Sequence, residues 1–407
     1  MVKEGGGDTV VLTGVGAFVI ARGFAIPGFR YLFPLYILSL GYHMEDLGII
    51  ASLAAVFSAL ILPLAGYLVD RGYASAVATV SGLMVAASLM LPVVLPTYPA
   101  LALAYAFSNA GMMLWQPSRS FLVANIVDPK KLGKYFGTYA LIFNLARVVT
   151  PLTLGFLLQW LSYGDSLYIL GILTLFAVAI FLGLVESGLQ KSPQQPPSTD
   201  SSNLHEKFSG TLGKLMKIYA DVFKVSRSFL PLLLFGVLDR YGWLMWIPML
   251  NAFLKEHVGF EDGEVSIYNS FMGVAMLLAS LPAGHLTDRI GGVKTLMMNE
   301  FIGAVGAVFL ATGSFPLVYS SAFLVGWSFS LWVTSYSTIT SLIMGPRNVG
   351  KIRGSLDSAR TFFSIPAPSI GSFLSSTLGP IYPFLAGSVV MLSAVLPLTK
   401  LKIPSRK

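Results

Sequence analysis

The sequence predicts an all-α integral membrane protein of twelve transmembrane helices in two pseudo-symmetric six-helix bundles. The chain of 407 residues is 55% hydrophobic and only 11% charged, with a mean hydropathy of +0.72, whereas soluble domains carry roughly 25% charged residues. Its apolar runs reach the ~20 residues that a helix needs to cross a bilayer. The stretch GYLVDR at 66–71 returns as GHLTDR at 284–289, 218 residues later, so the chain has two related halves.

Twelve apolar runs are predicted to be membrane spans. They cover 12–40, 46–68, 74–95, 98–127, 134–160, 166–186, 229–254, 265–287, 294–313, 316–344, 354–378 and 380–399. The polar stretch 187–228 contains KSPQQPPSTDSSN and is predicted to link a first bundle, 1–186, to a second, 229–407. Its second half, LGKLMKIYADVFKVSR, predicts either an interfacial helix on the membrane or a solvated linker helix packed on the bundles.

The basic residues are distributed very unevenly over the connections. Twenty Lys and Arg lie in the termini and the even-numbered connections, while Lys255 alone lies in the others. Because cytoplasmic loops retain positive charge, both termini and the long linker are predicted to be cytoplasmic in a multi-pass protein of the cell membrane. Orientation therefore explains the net charge of +8 better than nucleic-acid binding does.

Residues beyond the first motif repeat at nearly the same offset. Arg22 corresponds to Arg240 at 218 residues, and Trp115 to Trp332 at 217 after a one-residue slip. A repeat of six spans predicts a binding site near the bilayer midplane, between halves that rock to give alternating access.

The two copies of the motif resemble the loop signature G-x-x-x-D-R-x-G-x-K/R of the major facilitator superfamily, and the resemblance covers essentially the whole chain. The second copy, GHLTDRIGGVK, is nearly complete, whereas the first ends as RGYAS and lacks the following glycine and basic pair. The resemblance implies a cytoplasmic gate formed by Gly66, Asp70, Arg71, Gly284, Asp288, Arg289, Gly291 and Lys294. Simple anchoring of charges at helix ends is the alternative.

Charged side chains within the spans are the candidate functional residues, because each is costly in hydrocarbon unless it faces a cavity or a partner. Six arginines stand against three acids: Arg22, Arg30, Arg119, Arg147, Arg240 and Arg360 against Asp239, Glu300 and Asp357. Glu300 and Asp357 are expected close to cytoplasmic helix ends, where water reaches them. The bilayer midplane is therefore predicted to be net positive. Arg119 and Arg360 also lie nearer the cytoplasmic ends, where bonds to loop carboxylates or helix carbonyls are the favoured explanation for them.

Arg22 and Arg240 are predicted to lie near the bilayer centre, about 15 Å into their spans. An arginine pair on spans one and seven resembles the organophosphate and organic-anion branches of the superfamily, and the guanidinium fork suits phosphate or carboxylate oxygens. An ion pair with Asp239 is the alternative role for both arginines.

Helical spacing places aromatic and polar side chains beside these arginines. It aligns Arg22 with Phe29 and Phe33, and it aligns Arg240 with Trp243 and Asn251. The predicted substrate-binding residues are Arg22, Arg30, Arg240, Trp243, Asn251, Arg147, Trp115, Trp332 and Tyr336.

Asp239 is the predicted proton-coupling residue. It precedes Arg240, and adjacent helical residues point about 100° apart, so the two cannot both aim at one ligand. If substrate draws away an arginine such as Arg22 or Arg30, the desolvated carboxylate takes up a proton. This predicts an anion/proton symporter, with a static ion pair as the alternative.

Other functional classes find less support. The chain has no cysteine, and its four histidines lie in or beside predicted loops, so no metal site or other cofactor is predicted. No catalytic cluster or nucleotide-binding loop indicates an enzyme. The alternatives are a drug/proton antiporter, with an apolar pocket of Phe107, Met112, Met113 and Trp115, and a non-transporting receptor on the same fold. The expected partners are a small-molecule substrate, the lipid bilayer and protons, with no nucleic acid, and the protein is expected to be a monomer.

Overall fold

The computed structural model describes residues 6–127, 131–191 and 229–401, and the regular structure in these ranges is helical. The helices are α1 Gly6–Ser39, α2 Met44–Asp70, α3 Ala74–Val94, α4 Tyr98–Ile126, α5 Leu132–Leu157, α6 Tyr163–Lys191, α7 Leu230–Leu244, α8 Leu250–Glu256, α9 Asp262–Ile290, α10 Gly292–Ala311, α11 Phe315–Phe363, α12 Ala367–Leu378, α13 Tyr382–Ser393 and α14 Val395–Thr399. A 3₁₀ turn, Ile247–Met249, lies between α7 and α8.

Ten stretches of these helices are long and apolar enough to cross a membrane. They correspond to ten of the twelve predicted spans. The other two predicted spans, 98–127 and 354–378, are also helical, as α4 and as the end of α11 with α12. The predicted linker helix, LGKLMKIYADVFKVSR at 212–227, lies outside the described residues.

Three predicted spans are interrupted. The span 354–378 is divided between α11, which ends at Phe363, and α12, which begins at Ala367. In the other two spans the first helix ends four residues before a proline. α7 ends at Leu244, before Pro248, and α13 ends at Ser393, before Pro397. Proline lacks an N–H group, and its ring meets the carbonyl four residues earlier. Other prolines lie inside unbroken helices, among them Pro92, Pro117, Pro151 and Pro282. Proline therefore permits a break, and the packing of each helix decides whether one forms.

α11 is assigned as helix over 49 residues, although two spans are predicted within and beyond it. The guanidinium of Arg360 nevertheless lies 4.7 Å from the ring centroid of Trp332. In a straight helix these residues would be about 42 Å apart. The chain therefore reverses between Trp332 and Arg360, and α11 contains two arms that pack against each other, as two separate spans require.

Glycines with positive φ follow the helices that carry the repeated motif. Gly291 follows α9 with φ 88°, and Gly72 follows α2 with φ 90°. Gly72 donates its N–H to the carbonyl of Val69 (2.9 Å) and Tyr73 donates to Leu68 (3.1 Å), which is a Schellman-type helix end. The first copy of the motif therefore does have a glycine for this turn, one position earlier than in the second copy.

The chain forms two compact units. The first takes in the described residues of Met1–Phe33, Phe57–Thr150 and Leu157–Ile218, and the second those of Pro34–Val56, Pro151–Phe156 and Tyr219–Lys407. The units follow the two predicted halves except that Pro34–Val56 and Pro151–Phe156 group with the second. The bundle boundaries at residues 186 and 229 remain a prediction.

Within the second unit, polar bonds hold the start of α2 against α12. Ser375 Oγ donates to Glu45 Oε1 (2.7 Å), and the N–H of Ser369 donates to Ser52 Oγ (2.9 Å). Gly48 permits this close approach, because a Cβ there would overlap a side-chain oxygen on α12. These contacts explain why Pro34–Val56 groups with the second unit.

Candidate functional site

Arg22 is buried inside the first unit, with only 2% of its surface exposed. Its Nη1 donates to Ser81 Oγ on α3 (2.8 Å), and its Nη2 donates to the carbonyl oxygen of Gly111 on α4 (2.9 Å). The Ser81 hydroxyl donates to the same carbonyl oxygen (2.9 Å). The guanidinium fork therefore joins α1 to α3 and α4.

Two aromatic rings lie against the Arg22 guanidinium. Its Cζ is 5.5 Å from the ring centroid of Phe18 and 5.4 Å from that of Trp115, within the range of cation–π attraction. The predicted neighbours Phe29 and Phe33 stack on each other instead, with ring centroids 4.6 Å apart. The structure thus brings Arg22 and Trp115 together and places the Phe29–Phe33 pair elsewhere on α1.

The other three arginines within the predicted spans of the first unit are more accessible than Arg22. Arg30 is exposed, with Nη2 3.5 Å from Met112 Sδ, and Arg119 donates from Nη2 to Gln116 Oε1 (3.0 Å). Arg147 is half-buried on α5. All three are thus open to solvent or to a bound solute to some degree.

These four arginines form two pairs of like charge. Arg30 is close enough to Arg147, and Arg119 to Arg22, for their charges to repel. The sequences of α3, α4 and α5 contain no acidic residue, and α1 contains only Asp8, close to its start. The helices that bear the arginines therefore supply almost no negative charge.

Two carboxyl groups come together in the second unit. Asp239 on α7 is 3% exposed and Glu300 on α10 is 0% exposed, and the side chains lie within interaction distance of each other. Among the described residues, Asp239 Oδ1 and Glu300 Oε2 have no hydrogen-bond partner in good geometry. The expectation that water reaches Glu300 near a helix end is therefore wrong, because α11 and α13 pack over α10.

Asn299 holds one oxygen of Glu300. Its Nδ2 donates to Glu300 Oε1 (2.6 Å), and its Oδ1 accepts a hydrogen bond from Ser328 Oγ on α11 (2.6 Å). The two bonds orient the Asn299 amide with its N–H groups towards Glu300. They leave the other carboxyl oxygen of Glu300 for Asp239.

Arg360 is the main positive neighbour of Asp239. Its guanidinium lies 4.7 Å from the ring centroid of Trp332 and 5.3 Å from that of Tyr336, and these rings are stacked 4.9 Å apart. Its Nε is 3.6 Å from Asp357 Oδ1, and its side chain is 11% exposed against 37% for that of Asp357. Accessibility therefore falls in steps from Asp357 through Arg360 to Asp239.

The remaining predicted binding residues of the second unit lie on α7 and α8. Arg240 is half-buried and acts electrostatically on Asp239, and Trp243 packs against Trp246 with ring centroids 5.2 Å apart. Asn251 is 5% exposed and accepts a hydrogen bond from an amide on α9 (2.8 Å). The predicted alignment of Asn251 with Arg240 requires one continuous helix. Because α7 ends between these two residues, helical spacing no longer places them on the same face.

The second copy of the gate motif lies at the exposed end of α9 and the start of α10. Asp288, Arg289 and Lys294 are exposed, and within the described ranges they form no ion pair with one another or with other residues. Gly66 and Asp70 lie on α2, but their side-chain surroundings are outside what the structure describes. The gate remains a prediction from the resemblance.

The sequence analysis included Glu300 and Arg360 among the charged residues of the spans but not among the binding or coupling residues, and it did not single out Asn299. Asn299 and Glu300 are adjacent polar residues within the apolar run 294–313, and this was the available signal. The approach of α7 and α11 to that run was not predictable, because it depends on packing between distant segments.

Comparison with known families and structures identifies the fold. The model of the Major Facilitator Superfamily matches residues 13–249 and again 232–407. The chain belongs to the Major Facilitator Superfamily. It is therefore a membrane transporter and not an enzyme. Comparison with curated protein sequences gives no match.

Solved structures of other transporters share the major facilitator fold with this chain. A peptide transporter POT has a TM-score of 0.75 at 13% identity, covering 96% of this chain and 93% of that chain. The nucleoside transporter NupG has a TM-score of 0.71 at 17% identity, covering 96% and 100%. A bacterial homologue of the iron transporter ferroportin has a TM-score of 0.71 at 15% identity, covering 97% and 98%. At these identities the likeness concerns the fold alone.

Proposed function

We propose that this protein is a secondary active transporter that moves a small organic or phosphate-bearing anion by alternating access. The observation that carries the proposal is the pairing of like charges in the first unit, Arg30 with Arg147 and Arg22 with Arg119. Arginines held close together repel each other, and a bound anion relieves that repulsion.

The accessibility of the arginines suggests different roles for them. Arg30 and Arg147 are open enough to contact an anion, and two guanidinium forks suit the oxygens of a carboxylate or phosphate. Arg22 already uses two nitrogens on Ser81 and Gly111, so it adds positive charge and orders α1. The second unit contributes Arg240, Trp332 and Tyr336 as further candidates.

A thermal-shift screen of the purified protein tests the sign of the substrate. The probes are inorganic phosphate, glycerol 3-phosphate and citrate, set against the lipophilic cation tetraphenylphosphonium. We expect at least one anion to raise the unfolding temperature in a saturable manner. Stabilisation by the cation with none from the anions would instead support the drug/proton antiporter.

Asp239 is proposed to couple transport to protons. It is a buried carboxyl beside arginines, so a change in the position of those arginines changes its preference for a proton. Asp239→Asn should retain exchange of the stabilising anion across proteoliposomes but lose accumulation driven by a pH gradient. Unchanged pH-driven accumulation by folded Asp239→Asn protein would exclude this role.

The orientation of the chain is part of the same proposal. Both termini and the linker 187–228 are placed in the cytoplasm of the cell membrane, because twenty Lys and Arg lie on that side. We take the transporter to act as a monomer with one substrate path.

A further inference from the structure

We infer that Asp239 and Glu300 together bind one exchangeable proton, which resides on Glu300, while Asp239 carries the negative charge beside Arg360. The coupling role of this proton deepens the proposed function and rests on it. The presence of the proton depends only on the packing of α7, α10 and α11.

The burial of both carboxyls requires the proton. Two ionised carboxylates side by side in a water-excluded surrounding repel strongly, and one shared proton converts the repulsion into a hydrogen bond. Asp239 Oδ1 and Glu300 Oε2 have no other described hydrogen-bond partner, and both atoms are buried. The pair therefore needs a proton for its two inner oxygens.

The surroundings of the two residues decide which of them holds the proton. Asp239 lies beside the cations Arg360 and Arg240, which favour its ionised form. Glu300 is fully buried, and its described hydrogen bond comes from the neutral amide of Asn299. The proton therefore stays on Glu300, the deeper of the two groups.

The other charged and titratable groups near the pair lie on α7, where Arg240 is the neighbour of Asp239, and on α11. On α11 they are Tyr336, Asp357 and Arg360, and the Tyr336 hydroxyl lies 3.5 Å from Asp357 Oδ1. The sequence of α13 carries no charged side chain. Movement of Arg360 towards the accessible Asp357 would leave Asp239 with Arg240 as its remaining cation, and the weaker positive field would favour uptake of a second proton by the pair.

Infrared spectroscopy of the full-length protein in lipid tests the inference without any substrate. At neutral pH the wild type should show the carbonyl band of a protonated carboxylic acid. Incorporation of carboxyl-labelled heavy-isotope glutamate should shift this band, and labelled aspartate should leave it in place. Absence of the band, or a shift with labelled aspartate, would overturn the assignment.

Variants give a second, independent measurement. Glu300→Gln keeps the shape and the bond from Asn299 but should abolish the band, because Asp239 then remains ionised beside Arg360. Asp239→Asn should retain the band at a shifted position. Glu186→Gln, which changes an exposed carboxyl on α6, should leave it unaltered. A band that survives Glu300→Gln contradicts the inference, whether or not any anion stabilises the protein in the thermal-shift screen.

Discussion

At the scale of single residues, the arginines within the spans differ in burial and in the hydrogen bonds that they make inside the protein. Arg22 is enclosed by Phe18 and Trp115 and donates to Ser81 and Gly111, so its guanidinium has a structural task inside the first unit. Arg240 is only half-buried. The repeat that relates these two arginines in sequence therefore does not give them the same surroundings.

The first prediction concerns the stability that Arg22 provides. Arg22→Lys keeps the charge but loses the planar fork, so one of the two bonds to Ser81 and Gly111 should be lost. We expect the unfolding free energy to fall by about 1–3 kcal/mol, measured as a lower unfolding temperature in detergent. Arg30→Lys, at an exposed position, is the control and should unfold like the wild type. Equal unfolding temperatures for all three proteins would show that the fork contributes nothing.

The second prediction concerns binding by Arg240. If its guanidinium donates hydrogen bonds to two oxygens of the anion, Arg240→Lys should weaken binding of the anion roughly tenfold. This corresponds to the loss of one charged hydrogen bond, about 1.5 kcal/mol. Titration of the stabilising anion measures this by calorimetry. Lys255→Arg, in the last turn of α8 where Lys255 pairs with Asp262 (2.7 Å), serves as the matched control. Unaltered affinity in Arg240→Lys would remove Arg240 from the binding site.

At the scale of helices, breaks and close approaches bring distant residues together. The end of α7 at Leu244 lets the following residues pack against α12, where Gly371 has no room for a side chain. A Cβ at Gly371 would overlap the carbonyl oxygen of Met245 and lie 3.0 Å from Met249 Cε. The irregular stretch after α7 and this glycine on α12 therefore depend on each other.

The third prediction follows from that packing. Gly371→Ala should destabilise the protein by about 1–3 kcal/mol or more, because the added methyl group must displace backbone atoms. Gly263→Ala is the control, since nothing lies within 4 Å of the added Cβ, and in the first turn of α9 it should be neutral or slightly stabilising. Thermal unfolding of both variants distinguishes them, and equal stability would mean that the helices shift apart without cost.

At the scale of the whole molecule, the absence of cysteine from the sequence allows orientation to be measured directly. Two single-cysteine variants serve this purpose, Ser201→Cys in the linker and Thr97→Cys before α4. Thr97 is exposed, and its side chain makes no capping hydrogen bond. A membrane-impermeant maleimide added to intact cells should label Thr97→Cys and not Ser201→Cys. Lysis before labelling should expose both. Labelling of Ser201→Cys in intact cells would reverse the proposed topology.

The sequence by itself determined the membrane class, the positions of ten of the twelve predicted spans and the family. The class and the spans follow from the length and polarity of local segments, which determine whether a segment can cross a bilayer. The family follows from the repeated motif. It also identified Asp239, Trp332 and Tyr336 as residues of interest, since charged and aromatic residues are conspicuous in apolar runs. The helix breaks at Leu244 and Ser393 were within reach, because a proline follows each by four residues, but prolines elsewhere lie in unbroken helices.

Only the tertiary structure decided which side chains meet. It placed Glu300, expected near water, in full burial beside Asp239, and it brought Arg360 over Trp332 and Tyr336. These residues come from the three helices α7, α10 and α11, and their contacts depend on how those helices rotate and cross. Helical spacing predicts which residues share a face of one helix, but the neighbour of that face is fixed by the packing of the whole unit.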